Sequence, residues 1–131
     1  MTVEKINPEG LHEPEGYAHV AVTNGTKRVY IAGQVGVGVD DTVVGTDLTS
    51  QTTQAFENVR IALAAAGAGW EHVVKLNIFV VDIDEAKMGE FGAGMGQAME
   101  DGMTPTAATL IGVHALYRPD ILVEIEAIAE M

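Results

Sequence analysis

Residues 73 to 81 read VVKLNIFVV, a nearly continuous run of aliphatic, β-branched and aromatic side chains. Such a run predicts a strand at the centre of a sheet, covered on both faces. The C-terminal stretch LVEIEAIAEM follows a different rule. At the two-residue period of a strand, Val123, Ile125 and Ala127 fall on one face, while Glu124, Glu126 and Ile128 share the other. From Asp47 to Ala66 the period becomes helical: Ala55, Phe56, Val59, Ala62, Leu63 and Ala66 follow a Thr/Asp/Ser-rich start, and Gly67 marks the stop. Asp82 and Asp84 offer the start of a second helix, whose apolar stripe is Met88, Phe91, Met95 and Met99. That helix also carries Gly89, Gly92, Gly94 and Gly96, each costing about 1 kcal/mol relative to Ala in a helix interior. On a helical wheel Gly89, Gly92 and Gly96 gather beside the Met/Phe stripe, which predicts close packing of helix on sheet. The functional alternative is a thin wall beside a ligand cleft.

Two hairpins are predicted upstream. Tyr17 to Thr23 and Arg28 to Ala32 flank Asn24-Gly25, the strongest short turn signal, and VGVGVDDTVVG turns at Asp40-Asp41. Downstream, Thr104-Pro105 ends the second helix, TAATLIGVHAL supplies a strand, and Tyr117 to Asp120 turn the chain into the last strand. The opening stretch completes the sheet. Helices interspersed among mainly antiparallel strands predict an α+β sandwich with the helices on one face of the sheet.

Composition narrows the function classes. The 131 residues fit one domain spanning the whole chain. No apolar run approaches the roughly 18 residues needed to cross a membrane. The start, MTVEKINPEG, has neither the apolar core of a signal peptide nor an Arg-rich transit pattern, which predicts cytoplasmic residence. The absence of cysteine excludes disulfides, thiolate metal sites and Cys nucleophiles. Nineteen Asp and Glu against seven Lys and Arg give a formal charge of -12, and the largest basic cluster is the pair Lys27 and Arg28. That surface repels phosphate and argues against a nucleic-acid partner.

Carboxylates two apart on one strand face lie about 6–7 Å apart and repel when both are ionised. Glu124 and Glu126 are therefore the first chemical candidates, although a strand with one wet face shows the same alternation without chemistry. None of His12, His19, His72 and His114 has metal-ligand spacing, and no metal is expected. By the strand period His114 shares a face with Ala108, Leu110 and Gly112. Tyr17, after the approach EPEG, is either a packing residue or a phenol that positions substrate. Gly33, at a strand bend, marks either a bulge or backbone N–H groups facing a ligand. No phosphate loop, dinucleotide fingerprint or nucleophile elbow is present, so no cofactor is expected.

With those elements in order, the chain resembles the RidA/YjgF/UK114 family of small reactive-intermediate deaminases. The resemblance is carried by GYAHVAV, VYIAGQVGV, QTTQAFENVRIALAAAGAGWEHVVKLNIFVVDID and LVEIEAIA, and covers nearly the whole chain. It implies a chorismate-mutase-like mixed sheet with two helices packed on one face, and a barrel-forming homotrimer with ligand clefts between subunits. It also implies that Glu124 positions a water that attacks an imine carbon, that Tyr17 lines the cleft and that the Gly33 backbone helps hold substrate. One family feature is missing. Active deaminases of the family carry an Arg in a Pro-Ala-Arg-Thr-like segment that grips the substrate carboxylate through paired hydrogen bonds. Here the segment is TAATLIGV, with Ala108 at that position, or Ala107 if the alignment slips by one. Arg118, Lys75 or a protonated His114 could supply the charge if the fold brings one of them into the cleft.

The function implied is hydrolysis of an imine, enamine or related intermediate that differs from the usual 2-iminocarboxylates. A non-catalytic small-molecule-binding trimer is the alternative. A ribonuclease or translation inhibitor, a label attached to some relatives, is the weakest reading because of the charge.

Overall fold

The computed structural model describes residues 3–131. In chain order the elements are β1 (Glu4–Ile6), β2 (Val20–Val22), β3 (Arg28–Val35), α1 (Leu48–Ala65), β4 (Val73–Val81), α2 (Glu85–Glu100), β5 (Ala107–Val113) and β6 (Val123–Glu130). A single 3-10 turn at Trp70–His72 leads into β4. The main sheet has the order β3-β6-β4-β5, with β6 antiparallel to both its neighbours and β4 parallel to β5. Both helices cover one face of it, giving the expected α+β architecture. The core between them joins Phe56, Val59 and Leu63 of α1 and Phe91 of α2 to Leu76, Ile78 and Val80 of β4 and Val123, Ile125 and Ala127 of β6.

Three of the four helix ends are where the sequence signals put them, while α2 stops at Glu100, ahead of Thr104-Pro105. Asp47 caps α1, its side chain accepting from the Ser50 N–H at 2.8 Å, and Asp84 caps α2 in the same way through Lys87 N–H at 2.8 Å. At the end of α1 Gly67 takes φ +77°. The Ala68 N–H then reaches the Leu63 carbonyl at 2.9 Å and the Gly67 N–H reaches that of Ala64 at 3.0 Å, the paired bonds of a Schellman motif.

Three expectations change. The Asn24-Gly25 hairpin does not form: β2 pairs with β1 in a separate two-stranded sheet, and β3 pairs with β6. The tight hairpin turn that Asn-Gly favours needs positive φ at both central residues. Neither Asn24 nor Gly25 has it, and the Gly25 N–H instead bonds the Thr23 hydroxyl at 3.2 Å. The second hairpin shrinks to one bridge, Val37 to Val43, around Asp41 at φ 64°. Strand β4 is central, but only Val73, Leu76, Ile78 and Val80 of it are sealed in the core. Lys75, Asn77, Phe79 and Val81 on its other face are only partly buried, because both helices lie on one side.

The glycines of α2 divide differently from the wheel. A methyl group added at Gly94 would sit 2.6 Å from Thr52 Cβ and 2.9 Å from the Thr49 carbonyl oxygen, so this glycine lets α1 and α2 touch. At Gly89, Gly92 and Gly96 the same methyl meets no atom within 4 Å. Close packing is thus the reason for Gly94 and not for the other three. Accordingly Gly94→Ala should destabilise the fold by about 2 kcal/mol, since the clash is with a β-branched side chain and backbone. Gly96→Ala should stabilise it by roughly 0.5–1 kcal/mol through helix propensity alone. Urea midpoints for the two variants test the contrast, and equal shifts would sink it.

Candidate functional site

Strand β6 is aimed by α1. Gln51, fully buried, accepts the Leu122 N–H at 2.8 Å and donates its amide N–H groups to the Asp120 carbonyl at 2.9 Å and the Gly45 carbonyl at 3.1 Å. This three-way tie fixes the chain immediately before Val123. With Val123 and Ile125 locked in the core, Glu124 and Glu126 must point to the face away from the helices. There Glu124 is level with Phe79 and Glu126 with Asn77 of β4.

Gly33 meets Glu124 directly. The β3–β6 register shifts between Ile31 and Gln34, so that Ala32 and Gly33 stand against the single residue Glu126 as in a bulge. A Cβ there would overlap the Glu124 carboxylate, with its Cδ only 2.7 Å away. Only a glycine leaves room for that carboxylate. Burial raises the Glu124 pKa above the ordinary carboxylate value, and the charge of Glu126 adds to the shift. Asn77 donates to Glu126 Oε1 at 3.0 Å and so fixes the neighbouring carboxylate. Asn77 was not singled out in the sequence, although a lone amide in VVKLNIFVV is the signal that could have found it.

The other candidates lie elsewhere in the chain. Ala108 is level with Leu76 in the parallel β4–β5 pair and packs against the core on the helix side. The two-residue period therefore places Ala107, level with Lys75, on the face of Glu124. The position on that face is Ala107, and Ala108 points away from it. Tyr17 stands beyond the β5 edge, where the Ala18 N–H bonds the Thr106 carbonyl at 2.9 Å. Its hydroxyl meets His12 Nε2 at 2.8 Å, and its ring lies edge-on to His19 at 5.3 Å. His114, its side chain 98% exposed, follows the end of β5 and lies 3.6 Å from the Asp82 carboxylate.

Among the three cations the sequence offered, Lys75 alone is on the Glu124 face, and it donates to the Thr109 hydroxyl at 2.8 Å. Arg118 is held by both oxygens of Asp120, at 3.0 and 3.1 Å, and by Asp41 at 3.1 Å. Among the described residues no group of three or more His, Asp or Glu side chains is placed to hold a metal ion, and no helix is long and apolar enough to cross a membrane.

On the helix side, Tyr17 and Ala108 open onto an apolar cleft of about 470 Å3 between α2 and strands β4 and β5. Its floor is Leu76, Ile78 and Leu110, and its roof is Met88, Met95 and Met99. The sheet separates this cleft from Glu124.

The fold is that of one family. The family profile described as Endoribonuclease L-PSP matches residues 10–131. A RutC family protein of Pyrococcus horikoshii is 33% identical over 128 residues, 96% of each chain. The crystal structure of YyfB, a Rid-family protein of Yersinia pestis, superposes with a TM-score of 0.91 at 36% identity over all of both chains. A member of the YjgF/YER057c/UK114 family from Mycobacterium tuberculosis does so at 0.64 and 30% identity, covering 99% of this chain and 100% of its own. The chain belongs to the RidA/YjgF family.

Proposed function

We propose that the protein hydrolyses a small imine or enamine lacking a carboxylate, with Glu124 as general base. The observation that carries this reading is the Glu124 carboxylate itself, partly buried against Gly33 and with its pKa raised by burial and by Glu126. A carboxylate whose pKa is raised is a stronger base toward water. Glu124 takes a proton from water as the water oxygen bonds to the C=N carbon, the π pair moves to nitrogen, and the nitrogen takes that proton from Glu124. In the carbinolamine Glu124 then takes the hydroxyl proton and passes it to nitrogen as the C–N bond breaks and the oxygen pair forms the carbonyl, which leaves Glu124 ionised as at the start. The products are a carbonyl compound and an amine or ammonia.

Charge favours the substrate class. Two carboxylates face this surface, Lys75 is engaged by Thr109, and Arg28 lies 3.8 Å from Glu130. A substrate carboxylate would meet repulsion without the fork of donors that a guanidinium offers. The -12 charge likewise disfavours RNA.

The cleft is completed by a neighbouring copy. Ala107 is four residues along and two strands across from the level of Glu124, on the order of 15 Å, and Tyr17 lies beyond that edge. A small molecule does not span such a gap. The same face exposes Tyr30 at 70% and Ile111 at 38%, apolar surface suited to an interface between copies. A homotrimer with the sheets inward, as the family resemblance implies, covers it.

The test measures carbonyl release from a carboxylate-free imine and from 2-imino acids generated in situ. The first should turn over at least ~10-fold faster, the scale of one lost charge-assisted contact. Preference for the 2-imino acid would overturn the substrate class. Saturable binding without product would replace the enzyme with a binding protein.

A further inference from the structure

The apolar cleft under α2 is not part of the hydrolytic site. It lies across the sheet from Glu124, and Tyr17 is the one wall residue that the family resemblance also places in the hydrolytic cleft. Its volume, about 470 Å3, is in the range of small-molecule sites. The glycines of α2 make the room, since Gly92 and Gly96 line the cleft and an added methyl at either meets only open space. Helix propensity disfavours glycine at both places, and packing against α1 does not call for it, because Gly94 alone provides that contact.

The walls choose the ligand. Met88, Met95 and Met99 offer unbranched, polarisable side chains that adapt to a flat ring and pack favourably against it. At one end Gly16 brings the chain onto α2, where an added methyl would lie 2.8 Å from Met95 Cε, and its neighbours Glu15 and Tyr17 close that end. The Tyr17 hydroxyl is engaged by His12. Glu15 is the only charged residue in the lining, and no lysine, arginine or histidine accompanies it. We propose that this cleft is a second ligand site, taking a single-ring aromatic amine with the ring among the methionines and the ammonium at Glu15. An aromatic acid of the same size meets the wrong charge at that end, and a cation there also gains from the Tyr17 ring.

The experiment uses the full chain with methionine methyls labelled for NMR, titrated with tyramine, p-cresol and 4-hydroxyphenylacetate, which share one ring and differ in charge. Tyramine should shift the Met88, Met95 and Met99 methyls and bind at least ~10-fold more tightly than 4-hydroxyphenylacetate. Glu15→Gln should bring tyramine to the level of p-cresol. Gly92→Leu should abolish the shifts without lowering Tm, because the new side chain fills open space. Ala108→Phe serves as a second way to fill the cleft if that variant does not fold. Glu124→Gln should leave tyramine binding unchanged, which separates this site from the hydrolytic one. Equal affinity for the three probes, no methyl shift at low-millimolar tyramine, or binding that survives the filled cleft overturns the proposal. So do intermolecular NOEs from these methyls to a second copy, which would make the cleft an interface.

Discussion

Glu124→Gln should lower turnover of the imine by about 10²–10⁴-fold, the usual contribution of a positioned general base, while the folded protein becomes no less stable. The two halves have one physical origin. The folded pKa of Glu124 lies above its unfolded value because burial and Glu126 both disfavour the charge. Ionised Glu124 therefore destabilises the fold. That penalty is absent below the unfolded carboxylate pKa of about 4.3, grows as pH rises toward the folded pKa, and is complete above it. Glutamine keeps the shape and removes the charge, so at neutral pH the variant should melt at a slightly higher temperature, and the gain should fade as pH falls through the carboxylate range. Melting curves from pH 4 to 8, run beside the kinetics, read both. A variant that is inactive and also less stable at neutral pH would mean that Glu124 is structural. Unchanged turnover would remove it from the mechanism.

The residues that set the fold were legible where a local rule decides. Asp47 and Asp84 cap their helices and Gly67 ends α1, because each acts on backbone within three residues of itself. Asn24-Gly25 misled because a turn signal states what a backbone can do, and the partner of β3 was decided by β6, about a hundred residues away. The split among the glycines of α2 was equally invisible: which of them touches Thr52 depends on how α1 is rotated, and a helical wheel does not carry that. For the site, alternation in LVEIEAIA put Glu124 on the face away from the helices, while the contact between Gly33 and Glu124 depends on the β3–β6 pairing. Asn77 and the cleft under α2 depend on tertiary pairing. The position of the missing arginine was open between two adjacent alanines. Strand parity, once β5 is seen to run level with β4, assigns Ala107 to the Glu124 face and Ala108 to the cleft.

That assignment makes a sharp contrast. Ala107→Arg should raise 2-imino acid turnover by at least ~10-fold, and Ala108→Arg should raise it not at all while costing the fold about 2–3 kcal/mol. At position 107 a guanidinium projects onto the open face beside Lys75, where a substrate carboxylate held against Glu124 of the proposed neighbouring copy can take both of its parallel N–H donors. At position 108 it projects among Leu76, Leu110 and the methionines, and Glu15 stands at only one end of that cleft. Its stem can run toward solvent, which moderates the cost without removing it. The readouts are 2-oxoacid release and the urea midpoint. Activity in Ala108→Arg with a stable fold would show that β5 is one residue out of register. Failure of a well-folded Ala107→Arg would show that the missing carboxylate grip is not what sets the substrate class proposed for this site.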